Sequence, residues 1–418
     1  MNPFEERARR VEDGLQSFSE LYPRPYVKRE VDPYTKTRII LMNGTEFEAN
    51  WFSHQLARHT DNVDLRREIA LTREVEKQQQ LKISLLKPPS ENILEHTISY
   101  EQLAVDLPAF LAQREQNANV RAALDFALLE DFDHLYRYAD LLDGEQGIRA
   151  EMLVGRYTEI MPGRPTIAHH RHPFDNVRLP IDAKSAATAT VLDTMIITAA
   201  EQQTMNYYMN VTNFACTDTA RRLYEEIALV EEEHVTHYEA LMDPNATWLE
   251  MLLWHEYCEC YLYYSALSTE TDPCIRALWE ENFEMELSHL HKAKELLEKY
   301  EGKEWQSVIR DPEFPEPVVL KENISYVRGV LAATVQNTTL RESYTSVDTL
   351  PPDADFFRFQ GILIPSVECV PSHNVIEEYL RRHRQDYRFA VAEHPIVPLR
   401  DRKSDNTAVG RCPGATQL

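Results

Sequence analysis

Two Glu-x-x-His units, Glu231 with His234 and Glu286 with His289, stand 55 residues apart, and another glutamate precedes each by 30 residues, at Glu201 and Glu256. At i, i+3 on a helix two side chains share a face, so each pair can grip one ion or bridge two. Apolar neighbours mark those faces as core-directed. Leu223, Ile227, Tyr238 and Leu241 share the stripe of Glu231 and His234. Val191, Ile197, Met205 and Tyr208 flank Glu201, and Leu249, Leu252, Leu253, Cys260 and Tyr263 flank Glu256. The competing reading of a stretch such as ALVEEEHVTHYEAL is a charged helix face in water. That reading is kept for Glu232, Glu233 and Glu239, which fall off the stripe and are expected to be solvated.

Only 11 glycines occur in 418 residues, and long stretches are rich in Ala, Leu, Glu, Lys and Gln, so an all-α chain is expected. Over 184–302 four helices are expected: 186–213, one from the Thr217/Asp218 cap to Asp243-Pro244, 246–268, and one from Asp272-Pro273 to just before Gly302. Short connections make such neighbours antiparallel, which gives a four-helix bundle. Residues 31–144 have the same texture, with helices expected at 45–59, 62–86, 99–115 and 118–143. The stretch 145–183 reads as a linker containing MPGRP and IAHHRHPFDN. Proline-rich text over 303–418 reads as an irregular extension with one helix at 373–387 and a disordered final dozen residues.

Four carboxylates and two imidazoles in a bundle core have a physical purpose. Unpaired buried carboxylates are costly and stay partly protonated, whereas two divalent cations balance four negative charges. Mixed oxygen and nitrogen donors suit iron or manganese and suit structural zinc poorly.

The helix order Glu, Glu-x-x-His, Glu, Glu-x-x-His over 184–302 resembles that of the ferritin-like di-iron and di-manganese carboxylate proteins, among them rubrerythrin, manganese catalase and oxygen-activating di-iron enzymes. The resemblance implies a Glu4His2 dinuclear site holding two iron ions, or manganese, on Glu201, Glu231, His234, Glu256, Glu286 and His289. Glu231 and Glu286 would bridge, Glu201 and Glu256 would be terminal, and each histidine would hold one ion. The implied function is an oxidoreductase that reacts with dioxygen or hydrogen peroxide as an oxidase, oxygenase or peroxidase. Its partners would be an unspecified small-molecule substrate or an electron donor, and that donor would be external because the chain has no cysteine-rich rubredoxin-type module. Ferritin-type iron storage and manganese catalase are the alternatives, and a metal-free scaffold fits the ligand set worst.

Moving the six positions back by 155 residues lands on Glu46, Glu76, Gln79, Glu101, Asp131 and His134, which favours a tandem duplication of ferritin-like bundles. A textual echo, LRREIALTREVEKQ at 65–78 and LYEEIALVEEEHVT at 223–236, needs an offset of 158 instead. The earlier copy is expected to be degenerate: Gln79 replaces a histidine, Asp131 shortens an arm, and Asn43-Gly44 interrupts the helix beside Glu46.

Other residues are weighed against plain structural roles. His169, His170 and His172 lack ligand spacing and are expected at the surface, and His237 and His255 to be solvated or to support ligands. Glu259, one turn from Glu256, reads as an extra carboxylate or a surface acid, and Cys258 and Cys260 as packing thiols. Tyr238, one turn from His234, resembles the redox tyrosine of the radical-bearing ribonucleotide reductase subunit or is an ordinary core tyrosine. A net charge of -24 argues against nucleic acid and anionic membranes as partners. No signal-like start, no apolar run near roughly 18 residues and no CxxC pair occur, so a cytoplasmic protein with reduced thiols is expected, and a homodimer is one assembly it allows.

Overall fold

The computed structural model describes residues 1–390, 393–400, 405 and 408–411. The protein is mostly helical. Its helices are α1 (Pro33–Arg58), α2 (Val63–Ser84), α3 (Ile93–Arg114), α4 (Ala118–Gln146), the single turn α5 (Glu151–Val154), α6 (Thr188–Val211), α7 (Asp218–Glu239), α8 (Trp248–Thr269) and α9 (Pro273–Glu301). Beyond them come α10 (Ile324–Thr334), an antiparallel pair β1 (Asn337–Leu340) and β2 (Ser343–Ser346), α11 (Asp355–Leu363) and α12 (Pro371–His383). Among the described residues, no helix is long and apolar enough to cross a membrane.

The helix ends follow local chemistry. Asp272 accepts from the backbone N–H groups of Cys274 and Ile275 with Pro273 at the first turn, and α9 stops at Gly302 in the left-handed region. Thr247 with Glu250 and Asn92 with Glu95 form reciprocal capping boxes that start α8 and α3. Gly147, also left-handed, ends α4 three residues beyond the expected stop.

The compact units do not follow the expected segments 31–144 and 184–302. Unit 1 comprises Met1–Glu91, Pro180–Gln203 and Met242–Leu320, and unit 2 comprises Asn92–Leu179, Thr204–Leu241 and Lys321–Leu418. The first and last helical hairpins fall in unit 1 and the second hairpin and α7 in unit 2, while α6 is divided at Gln203. In unit 1, α1 packs on α2 and α8, and α9 packs on α8 and α2. The Asn43-Gly44 pair does not interrupt a helix: α1 runs through it. A Cβ at Gly44 would lie 2.8 Å from Cβ of Gln203 and 3.1 Å from the carbonyl oxygen of Ala199, so glycine is what this close packing requires.

In unit 2 the core gathers Ile98 and Val105 of α3, Leu128 and Leu135 of α4, and Leu223 and Ile227 of α7. Val327 and Leu331 of α10 and Val375 and Ile376 of α12 complete it, so two helices of the extension are part of this core. The helix expected at 373–387 is α12, which packs on α4 and α7. Residues 412–418, within the stretch expected to be disordered, lie outside the described residues, whereas Val409 is buried.

Candidate metal centres

In unit 2, α3 presents Glu101, α4 presents Asp131 and His134, and α7 presents Glu231 and His234, all fully buried. One ligand atom each from Glu101, Asp131, His134 and Glu231 lie within 4.8 Å of one another, as do those of Asp131, Glu231 and His234. Glu231 is straddled: Oε1 is 3.1 Å from Nδ1 of His134, and Oε2 is 3.1 Å from Nδ1 of His234. Asp131 Oδ1 is 3.6 Å and 3.3 Å from the same two nitrogens. Glu101 Oε2 and Asp131 Oδ2 have no hydrogen-bond partner. The Tyr208 hydroxyl donates to Glu101 Oε1.

The far side of each imidazole is tied. His134 Nε2 is 3.2 Å from Nδ1 of His169, whose Nε2 is 2.9 Å from the carbonyl oxygen of Arg164. A carbonyl only accepts, so the proton of His169 sits on Nε2, its Nδ1 accepts, and His134 Nε2 donates. His234 Nε2 donates to Glu130 Oε2 at 2.9 Å, and Glu130 also accepts from Arg164 and Arg171, each at 2.6 Å. Both imidazoles are thus held with Nδ1 turned toward Glu231 and Asp131, the outer-sphere arrangement that orients metal-binding histidines.

Electrostatics follow from this packing. Burial would raise Glu130, but Arg171, the hydrogen bond from His234, His169 and Arg164 together hold it well below its ordinary value. Burial would also raise Glu231, yet hydrogen bonds from His134 and His234 bring it down to about 2. Burial lowers His134, but hydrogen bonds to Asp131 and Glu231 carry it well above the usual imidazole range. Glu101 is pushed well up, by burial first and then by the charges of Glu231 and Asp131, against His134.

A second cluster lies in unit 1. One ligand atom each from Glu76 of α2, Glu256 of α8 and His289 of α9 lie within 4.8 Å of one another, and so do those of Glu256, Glu259 and Glu286. His289 Nδ1 is 3.2 Å from Glu286 Oε2, and Gln79 Nε2 donates to Glu286 Oε1 at 2.6 Å. Glu46 of α1 accepts from the Tyr263 hydroxyl, which in turn accepts from Asn282. Burial first, and then neighbouring carboxylates, push Glu46, Glu256 and Glu259 well above the carboxylate range. Burial also raises Glu76 to about 7, against the opposing charge of His289.

The six residues read from the sequence as one site have members in both compact units. Glu231 and His234 are in unit 2; Glu256, Glu286 and His289 are in unit 1, as is Glu201, buried on the part of α6 assigned to that unit. The degenerate copy divides too: Glu46, Glu76 and Gln79 belong to unit 1, and Glu101, Asp131 and His134 to unit 2. Glu101 follows Glu46 by 55 residues, and Asp131 follows Glu101 by 30, so all four hairpins repeat one spacing.

Several neighbours differ from expectation. The HHRH stretch is not a surface loop: His169, His170 and Arg171 are buried, and only His172 is partly exposed. The chain reaches α4 closely there because Gly163 has no side chain; a Cβ would lie 2.6 Å from that of Asp133. Glu233 is buried, accepting from the backbone N–H of Arg171 at 3.1 Å, whereas Glu232 and Glu239 are exposed as expected. His237 is buried within 3.1 Å of the Tyr344 hydroxyl, and His255 is buried 2.8 Å from Glu48. Glu259 is no surface acid but fully buried, and Cys258 and Cys260 are buried thiols. Tyr238 is buried in α7.

Compared with known proteins, the chain matches no family model, no curated protein and no solved structure.

Proposed function

We propose that the protein is a dinuclear metal oxidoreductase acting on dioxygen or hydrogen peroxide, with its reactive centre in unit 2. One observation carries the reading: two buried imidazoles, each fixed from behind, turn Nδ1 toward the same two carboxylates, Glu231 and Asp131. Glu101, Asp131, His134, Glu231 and His234 would hold the ions. This donor set suits iron or manganese. Bound iron would supply redox electrons and open coordination positions for an oxygen species.

The chain's own groups do the rest. Glu130 and His169 fix ring orientation, and Arg164 and Arg171 keep Glu130 ionised. Tyr208 holds its proton against Glu101, because burial and the Glu101 charge push the phenol well above its ordinary range. The packed core around the cluster excludes bulk water. This donor chemistry resembles that of the ferritin-like carboxylate proteins.

Metal analysis of protein purified without added metal, followed by rapid-mixing spectra of the reduced form with dioxygen or peroxide, tests the reading. Bound iron with a transient visible band supports it. Manganese with oxygen evolution points to catalase, and many iron ions per chain to storage. Wild-type metal content and an unchanged optical response in His134→Ala and His234→Ala would remove the site assignment. Glu201→Ala, measured in the same way, decides whether the remaining expected ligand takes part.

A further inference from the structure

We infer that unit 1 contains a second divalent-metal centre, oxygen-rich and suited to manganese(II), built from Glu46, Glu76, Glu256, Glu259, Glu286 and His289. All six residues are buried, with the most exposed, Glu76 and Glu256, at 2%. Among the described residues, no lysine or arginine lies within salt-bridge distance of any of the five carboxylates; His289 pairs with Glu286 at 3.2 Å and with Glu256 at 3.9 Å. Burying one carboxylate without a partner is costly, and five in one core call for cations or protons.

Unsatisfied buried atoms are concentrated on the residues of this cluster. Both oxygens of Glu259, Oε2 of Glu46, Glu76 and Glu256, Nε2 of His289 and Oε1 of Gln79 are buried without a hydrogen-bond partner. Two overlapping triads, Glu76/Glu256/His289 and Glu256/Glu259/Glu286, give two adjacent positions that share Glu256. A cavity of about 100 Å³ reaches His289 between the N-terminal segment, at Arg9, Gly14 and Gln16, and α9, at Glu284 and Met285. That volume holds several waters, at roughly 30 Å³ each, and offers an ion a way in.

The donor set differs from that of unit 2 in a direction that sets preference. Gln79 occupies the i+3 place where the other three hairpins have histidine, and Glu259 adds a carboxylate one turn after Glu256. Losing nitrogen and gaining oxygen favours manganese and magnesium relative to iron, copper or zinc. The preference for iron over manganese is therefore smaller in unit 1 than in unit 2.

Manganese(II) titration of the metal-stripped full-length protein, followed by electron paramagnetic resonance and calorimetry, tests this. The comparison is wild type, Glu256→Gln/Glu259→Gln and His134→Ala/His234→Ala. The inference expects the first double variant to lose manganese binding by about 100-fold or more at one class of sites, and the second to keep that class. Unchanged manganese stoichiometry and affinity in a folded Glu256→Gln/Glu259→Gln protein overturns it. Should that variant misfold, manganese-edge anomalous density from wild-type crystals decides: a peak beside Glu256 supports the site, and its absence at saturating manganese refutes it. Metal in unit 1 alone would sink the proposed unit 2 centre and not this one; metal in unit 2 alone would do the reverse.

Discussion

Each unit carries a cluster of buried carboxylates and histidine on its helices, and the two clusters differ in chemistry. Unit 2 brings two histidines to its carboxylates and ties each from behind, to Glu130 and to His169. Unit 1 brings one histidine, whose Nε2 has no partner, and sets Gln79 and Glu259 where nitrogen was lost and oxygen gained. The two clusters also meet the cost of buried acid differently. Imidazole hydrogen bonds bring Glu231 down to about 2 despite burial, whereas burial carries Glu76 up to about 7. Helix spacing makes the side chains converge, and the residues behind them decide what the convergence can hold.

The largest break in this comparison should come from Glu130→Gln. Removing that charge leaves Arg164 and Arg171 buried without their shared carboxylate, which is expected to cost about 3–5 kcal/mol in chemical denaturation. A cost below about 1 kcal/mol would show that the outer sphere of unit 2 is not held as described.

Next is pH. Burial lowers His170, but Glu226 and Glu233 on its two sides raise it to about 9. Between the unfolded value near 6.5 and about 9 the folded state binds the extra proton, so this stabilisation is complete below 6.5 and lost as pH rises through 9. The loss should approach about 3 kcal/mol, because each pH step of one between those two values contributes about 1.36 kcal/mol. His170→Gln should flatten the stability profile over that window, and an unaltered profile would contradict the assignment.

His169→Ala releases the far side of His134 without touching a ligand, so unit 2 should bind metal about 10–100-fold more weakly while unit 1 is unchanged. Equal loss in both units would show a general structural effect. The smallest effects should come from Tyr208→Phe and Tyr263→Phe, each removing one hydroxyl donor to a buried glutamate at about 1 kcal/mol. Similar costs would support equivalent places for Glu101 and Glu46, and a difference above about 2 kcal/mol would separate them.

Much of the local structure was legible in the sequence. Asp272-Pro273, Thr217 and Gly302 mark helix ends because their chemistry satisfies backbone groups locally. The core-facing stripes identified Glu231, His234, Glu256, Glu286 and His289 as buried, since helical periodicity is also local. The grouping of hairpins was not legible: the 30-residue interval recurs in every hairpin, so it cannot say which partner a hairpin packs against. That choice rests on packing, such as that of α1 on α8 and of α2 on α9. His169 and Arg171 were missed because they are buried by an irregular segment whose path depends on Gly163, and irregular backbone has no period to read. Glu233, off the stripe, is buried because the backbone of Arg171 comes to meet it.

Whether His134 and His234 turn onto Glu231 and Asp131 to make a metal centre in unit 2 is decided by a crystal structure of iron-loaded protein with data at the iron absorption edge. Anomalous density is expected among Glu101, Asp131, His134, Glu231 and His234. No density there at full iron loading would contradict the assignment.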